Sequence, residues 1–126
     1  MTTNRLSAFA LAAAFAIFAS VPPAAAATFD GKWSMLAVTT NGHCGVIKVG
    51  MAINGGRISS TGGRFVFHRI QLTGRVSGSG QALLTAVAGP RIAKGTGRFN
   101  RSRAAGKWSG TGPSGICTGV WSASRA

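Results

Sequence analysis

A chain of 126 residues holds 14 Lys and Arg against a single acidic residue, Asp30, for a formal net charge of +13 at pH 7. That balance excludes hydrolysis by a carboxylate pair, which needs two Asp or Glu. It also leaves a Ser-His-acid triad only Asp30 with His43 or His68, without a Gly-x-Ser-x-Gly elbow leading into a helix, and so points to a non-catalytic protein whose surface attracts polyanions.

Arg5 is the only charge in the opening stretch, which runs through an apolar block, Leu6 to Val21, into Pro22-Pro23-Ala24-Ala25-Ala26-Ala27. A charged start, a short apolar middle and a small-residue end are the layout of a secretory signal peptide. The block is too short and too Ala-rich for a comfortable membrane span. The sequence predicts a cleaved leader over residues 1–27, cut after Ala27 with Ala26 as the near alternative, and one periplasmic or secreted domain over 28–126 with no transmembrane segment. Cleavage removes Arg5 and no acid, which lowers the charge by one, to +12.

From Phe29 to Thr40 the chain alternates around Gly31, Trp33, Met35 and Ala37, and Asn41-Gly42 then gives a hairpin signal. Cys44 to Ile53 places Ile47, Val49, Met51 and Ile53 on one face, and Asn54-Gly55-Gly56 ends it. Arg57 to Thr61 is a short strand, followed after Gly62-Gly63 by a longer run from Arg64 to Ser77. In that run the apolar parity is odd at Phe65 and Phe67 but even at Ile70, Leu72 and Val76, which predicts a bulge or bend near His68 and Arg69. Gln81 to Ala88, Ile92 to Phe99, Ala104 to Gly110 and Ile116 to Arg125 complete eight strands, separated by Gly, Ser, Pro and Asn turns. Eight short strands predict an all-β antiparallel up-and-down barrel, whose closure removes exposed edges, with a two-sheet sandwich as the alternative.

All three tryptophans occur in one phrase, Gly-x-Trp-Ser, at Gly31-Lys32-Trp33-Ser34, Gly106-Lys107-Trp108-Ser109 and Gly119-Val120-Trp121-Ser122. Residues i and i+2 of a strand share a face, so Trp33, Trp108 and Trp121 belong to the core while Lys32 and Lys107 face out. A Gly two residues before a Trp leaves room for a neighbouring indole to lie on bare backbone. The two cysteines, Cys44 and Cys117, are an even count in a chain expected to be exported, which predicts one disulfide spanning 73 positions. Neither the cysteines nor His43 and His68 show CxxC or HxxxH spacing, so no metal site is expected.

Gly31-Lys32-Trp33 on the first strand, with Arg125 on the last, resembles the Gly-x-Trp and closing Arg of calycin barrels such as lipocalins and avidins. The resemblance implies that Arg125 packs across Trp33 as part of the barrel core. A second likeness runs through nearly the whole mature chain: Phe29-Asp30-Gly31-Lys32-Trp33-Ser34, Gly42-His43-Cys44, Ile53-Asn54-Gly55-Gly56-Arg57, Gly95-Thr96-Gly97-Arg98-Phe99 and Cys117-Thr118-Gly119-Val120-Trp121-Ser122. In that order they are similar to small exported proteins of alphaproteobacteria, some labelled as haem utilisation or adhesion proteins. This likeness implies an exported barrel.

Lys32, Lys48, Arg75, Lys94, Arg98 and Lys107 all fall on the parity opposite their apolar neighbours, and Arg101 and Arg103 gather with Arg98 around one turn. Arg98, Arg101, Arg103, Lys107 and Arg75 are therefore the expected contacts for an extracytoplasmic polyanion: lipopolysaccharide, acidic polysaccharide, DNA or the head groups of a membrane surface. The tryptophans and phenylalanines share the inner parity, which leaves no stacking platform for sequence-specific nucleic-acid recognition. An alternative is a calycin-like barrel for haem or another small ligand, with His43, His68 and Met51 as the residues to hold haem, since His and Met are ordinary axial ligands. A structural or adhesive role at the cell envelope is the third.

Overall fold

In the computed structural model, residues 28–126 are described, and the expected leader over 1–27 lies outside them. Strict alternation builds strand after strand: β1 (Gly31–Asn41), β2 (Val46–Asn54), β3 (Arg57–Gly62), then a short pair β4 (Arg64–Phe65) and β5 (His68–Arg69). β6 (Gln71–Val76), β7 (Gln81–Ala88), β8 (Arg91–Phe99), β9 (Arg103–Gly112) and β10 (Gly115–Arg125) follow. Eight of these form a closed antiparallel barrel in the order β1-β10-β9-β8-β7-β6-β3-β2, which decides between the barrel and the sandwich. Among the described residues no helix is long and apolar enough to cross a membrane.

One sequence expectation is corrected here. The change of phase after Phe67 marks a whole side hairpin and not a bulge: β4 and β5 pair only with each other, with Arg64 opposite Arg69 and Phe65 opposite His68. Its base is closed by Ile70 N donating to Gly63 O at 3.0 Å. The two-residue turn, Val66-Phe67, has φ of 47° and 67°. Positive φ at both central positions is the turn that Asn-Gly normally signals, so a Val-Phe pair gave no warning of it.

The strands point alternately in and out, and the inward residues differ along the barrel axis. At the end that holds residues 28 and 126 the inward positions are large: Phe29, Trp33, Met51, Ile53, Ile58 and Phe99 are all buried. Phe99 centres an aromatic group, 5.0 Å from Trp33 edge-on, 5.9 Å from Phe29 and 6.0 Å from Trp121. Towards the other end the inward positions shrink to Ala37, Ala86, Ala88, Ala93, Gly95 and Gly110, and the wall no longer meets in the middle. One end is closed and the other is a mouth.

The glycine of the repeated phrase makes room for an indole at Gly106 alone; at Gly31 the space is taken by Arg125 and at Gly119 by the backbone of Val38 and Thr39. A Cβ on Gly106 would stand 2.7 Å from Trp121 Nε1, and one on Gly97 would strike the same indole, so these two glycines form the floor on which Trp121 lies. A Cβ on Gly31 would meet Arg125 Nη1 at 2.9 Å. Trp33 donates from Nε1 to Phe29 O at 2.9 Å and Trp121 to Thr96 O at 3.1 Å.

The seam between the first and last strands is held at both ends. At the mouth, Cys44 and Cys117 are bonded, with Cα atoms 6.2 Å apart. At the closed end Arg125, the register partner of Trp33, sets its guanidinium 4.6 Å from the centre of that ring. It donates to the backbone carbonyls of Thr28, Asp30 and Arg101. Arg125 is exposed, so it caps the core from outside and is not a member of it.

Candidate functional site: a basic exterior and an open mouth

Strand pairing sorts the outward cations into separate surfaces. Arg57 on β3 is the direct partner of Arg75 on β6, and both line a shallow groove with Gln81, Leu83 and Thr96, closed on the far side by Arg98 of β8. Lys107 is the β9 partner of Thr96 and continues the same face. Arg103 instead lines a second depression with Lys48, Ser122 and Ser124, around the barrel. Arg101 sits in the β8–β9 turn, its carbonyl occupied by Arg125 Nε at 2.8 Å. All five expected contacts are exposed. The structure thus keeps Arg75, Arg98 and Lys107 together, adds Arg57, and separates Arg103. Arg57 was missed because adjacency across strands depends on register, which chain order does not reveal.

The mouth opens on a cavity of about 120 Å³ lined almost wholly by apolar side chains, among them Ile47, Phe65, Leu72, Ala86 and Trp108. Trp108 is only half-buried, unlike Trp33 and Trp121, so it is a wall of this cavity more than a member of the packed core. Its Nε1 is buried and has no acceptor, whereas the other two indoles each have one. Arg91, at the start of β8, shares the inward parity of Ala93 and Gly95 and lies across the Phe65 ring at 5.4 Å. That parity was readable in the sequence, but a strand begun at Ile92 leaves Arg91 in a turn.

The residues expected to hold haem do not converge. His43 is exposed in the β1–β2 loop, His68 is exposed on β5 with its ring against Gly89, and neither lines the cavity. Met51 is fully buried near the closed end, opposite Trp33 in register. A cavity of about 120 Å³ is also well below the roughly 300 Å³ at which pockets for larger organic ligands begin. The residues present do not fit haem.

A further expectation is corrected at the rim. Phe67 does not share the inner parity: at 93% relative exposure it stands free at the tip of the β4–β5 hairpin.

These features define a closed, eight-stranded, disulfide-linked β-barrel with a basic exterior and one open apolar end. No family model matches the chain, and no curated protein matches it.

Proposed function

We propose that the protein is an exported, non-catalytic binding barrel that holds an extracytoplasmic polyanion, such as lipopolysaccharide, an acidic polysaccharide or DNA, on its arginine-lined face. The observation that carries this reading is the groove of Arg57, Arg75 and Arg98, in which two arginines stand directly opposite each other on paired strands. Like charges so placed destabilise a sheet, and an anion from outside relieves the repulsion. The chain itself offers only Asp30, whose carboxylate accepts from Gly55 N at 2.9 Å. Export is supported by the disulfide, since such bonds persist in oxidising compartments. The lack of a second carboxylate supports binding over acid-base catalysis.

Salt dependence tests it. If about six cations neutralise phosphates, affinity for duplex DNA falls on the order of a thousandfold between about 50 and 200 mM salt. Replacing Arg57, Arg75 and Arg98 together with Gln should lower the slope of log affinity against log salt by about three. The melting temperature should hold or rise slightly, because the cross-strand repulsion is gone. Salt-insensitive binding, or a triple variant that binds as its parent does, would leave the charge as a solubility device.

The cavity supports a second reading, a small apolar ligand held in the mouth, with a terminal acceptor for the free Trp108 N–H or an anionic group for Arg91. Its size resembles the engineered apolar cavities of about 150 Å³ that take up benzene. Ala86→Leu should fill it from the β7 side, raising the melting temperature while abolishing fluorescence enhancement of a naphthylamine probe. Enhancement unchanged in Ala86→Leu would place the probe elsewhere.

A further inference from the structure

The mouth carries an exposed apolar rim, none of it in the groove and only Ile92 shared with the cavity. Six of the exposed large hydrophobic residues lie at this end: Val46, Val66, Phe67, Val87, Ile92 and Ile116. The most prominent is the hairpin tip, where Val66 and Phe67 both adopt left-handed backbone angles. A β-branched residue is a genuine outlier there, and Asn-Gly would take the same turn without strain. Backbone strain that persists in a well-anchored loop is a pointer to function. This hairpin is anchored: Phe65 reaches over the cavity beneath Arg91, the His68 ring rests on Gly89, and the Gly63–Ile70 hydrogen bond closes its base. The strain is therefore spent on holding an apolar tip away from the body of the barrel.

The flanks of the tip are basic. Arg64 and Arg69 are direct partners below the turn, and Arg91 lies over Phe65 of the adjoining rung. The only acidic side chain, Asp30, is bonded to Gly55 at the closed end, so no acidic side chain stands at the mouth.

We infer that the mouth docks on an anionic lipid bilayer, with Val66 and Phe67 inserted among the acyl chains next to the head groups and Arg64 and Arg69 against the phosphates. An apolar wedge with cations just behind it matches the order of layers at such a surface, where interfacial segments bind by apolar burial plus attraction to anionic lipid. A second copy of this chain is a poor occupant, because it would bring the same cations to the contact. The surface is separate from the groove of Arg57, Arg75 and Arg98, and the inference does not rest on polyanion binding there.

The test uses the disulfide-bonded domain over 28–126 and vesicles of phosphatidylglycerol and phosphatidylcholine in equal parts, with pure phosphatidylcholine vesicles as comparison, scored by flotation. Val66→Asn with Phe67→Gly should weaken partition on the order of tenfold, the effect of losing one aromatic side chain's burial. The same variant should melt higher than its parent because the turn is relaxed, so that lost binding cannot be lost folding. Arg64→Gln with Arg69→Gln should cost about fivefold per arginine on the anionic vesicles and little on the neutral ones. The groove variant of Arg57, Arg75 and Arg98 should retain the tip's contribution, meaning that adding Val66→Asn with Phe67→Gly still weakens it on the order of tenfold. Equal partition of tip variant and parent, or equal binding to both kinds of vesicle, would overturn the inference. So would a parent that sediments as a dimer and becomes monomeric in the tip variant, since the rim would then be a contact between copies.

Discussion

Reduction of the Cys44–Cys117 bond, or replacement of both residues by Ser, should lower the melting temperature by on the order of 20 °C. The chain-entropy model gives about 4 kcal/mol for a closed loop of 73 residues, and a domain of this size shifts by about 4–8 °C per kcal/mol. The position of the bond supports so large an effect. In an up-and-down barrel the first and last strands must find each other across the whole chain, and Cys117 lies on β10 beside the loop that leaves β1. The reduced protein should therefore lose amide protection first along the upper seam, near Thr39 and Thr118, while the lower seam stays held by Arg125. A reduced form that melts within a few degrees of the oxidised one would show that the sheet alone closes the barrel.

Trp33→Ala should be comparably severe, at about 3–5 kcal/mol. Trp33 is 1% exposed, lies edge-on to Phe99, ties down Phe29 through its Nε1 and carries Arg125 on its outer side. Truncation removes the ring and deprives Arg125 of the surface it covers. Arg125→Ala alone should cost less, on the order of 1–3 kcal/mol, since it loses an exposed cation–π contact and hydrogen bonds made near water. The double variant should then cost less than the two single losses together, because both remove the same contact. Thermal melts of the four proteins test this, and full additivity would mean that Arg125 and Trp33 act independently.

Much of the architecture was legible because a two-residue period carries its own inside and outside. Trp33, Trp121, Met51 and Phe99 fall where their parity places them, and the same parity sends Lys48, Arg75 and Arg98 outward. The phrase with Trp also gave the close packing of Gly106 under Trp121, and the likeness to calycin barrels gave Arg125 across Trp33. Three matters were not legible, each for a physical reason. The β4–β5 hairpin was hidden because a phase change looks alike for one extra residue or a whole inserted turn, and Val66-Phe67 lacks the usual turn chemistry. The grouping of Arg57 with Arg75, and of neither with Arg103, depends on cross-strand register. The cavity depends on axial height: Ala37, Ala86 and Ala93 read as ordinary inward residues until the barrel sets them at one level.

Arg125 binds the carbonyl of Thr28, and Ala126 N bonds Lys32 O at 2.9 Å, so both ends of the described chain lie together on the closed end. That placement makes the barrel a directional object. A tether attached at residue 28 or residue 126, whether to a bead, a sensor chip or a fused partner, leaves the apolar opening facing away from the support. A short peptide joining residue 126 to residue 28 would give a circular chain, which could be reopened at the Pro113-Ser114 turn to move both termini to the rim. Immobilised through those new ends, the permuted protein would present its tryptophan-packed base in place of its opening, and the two orientations would report separately on what each end of the barrel touches.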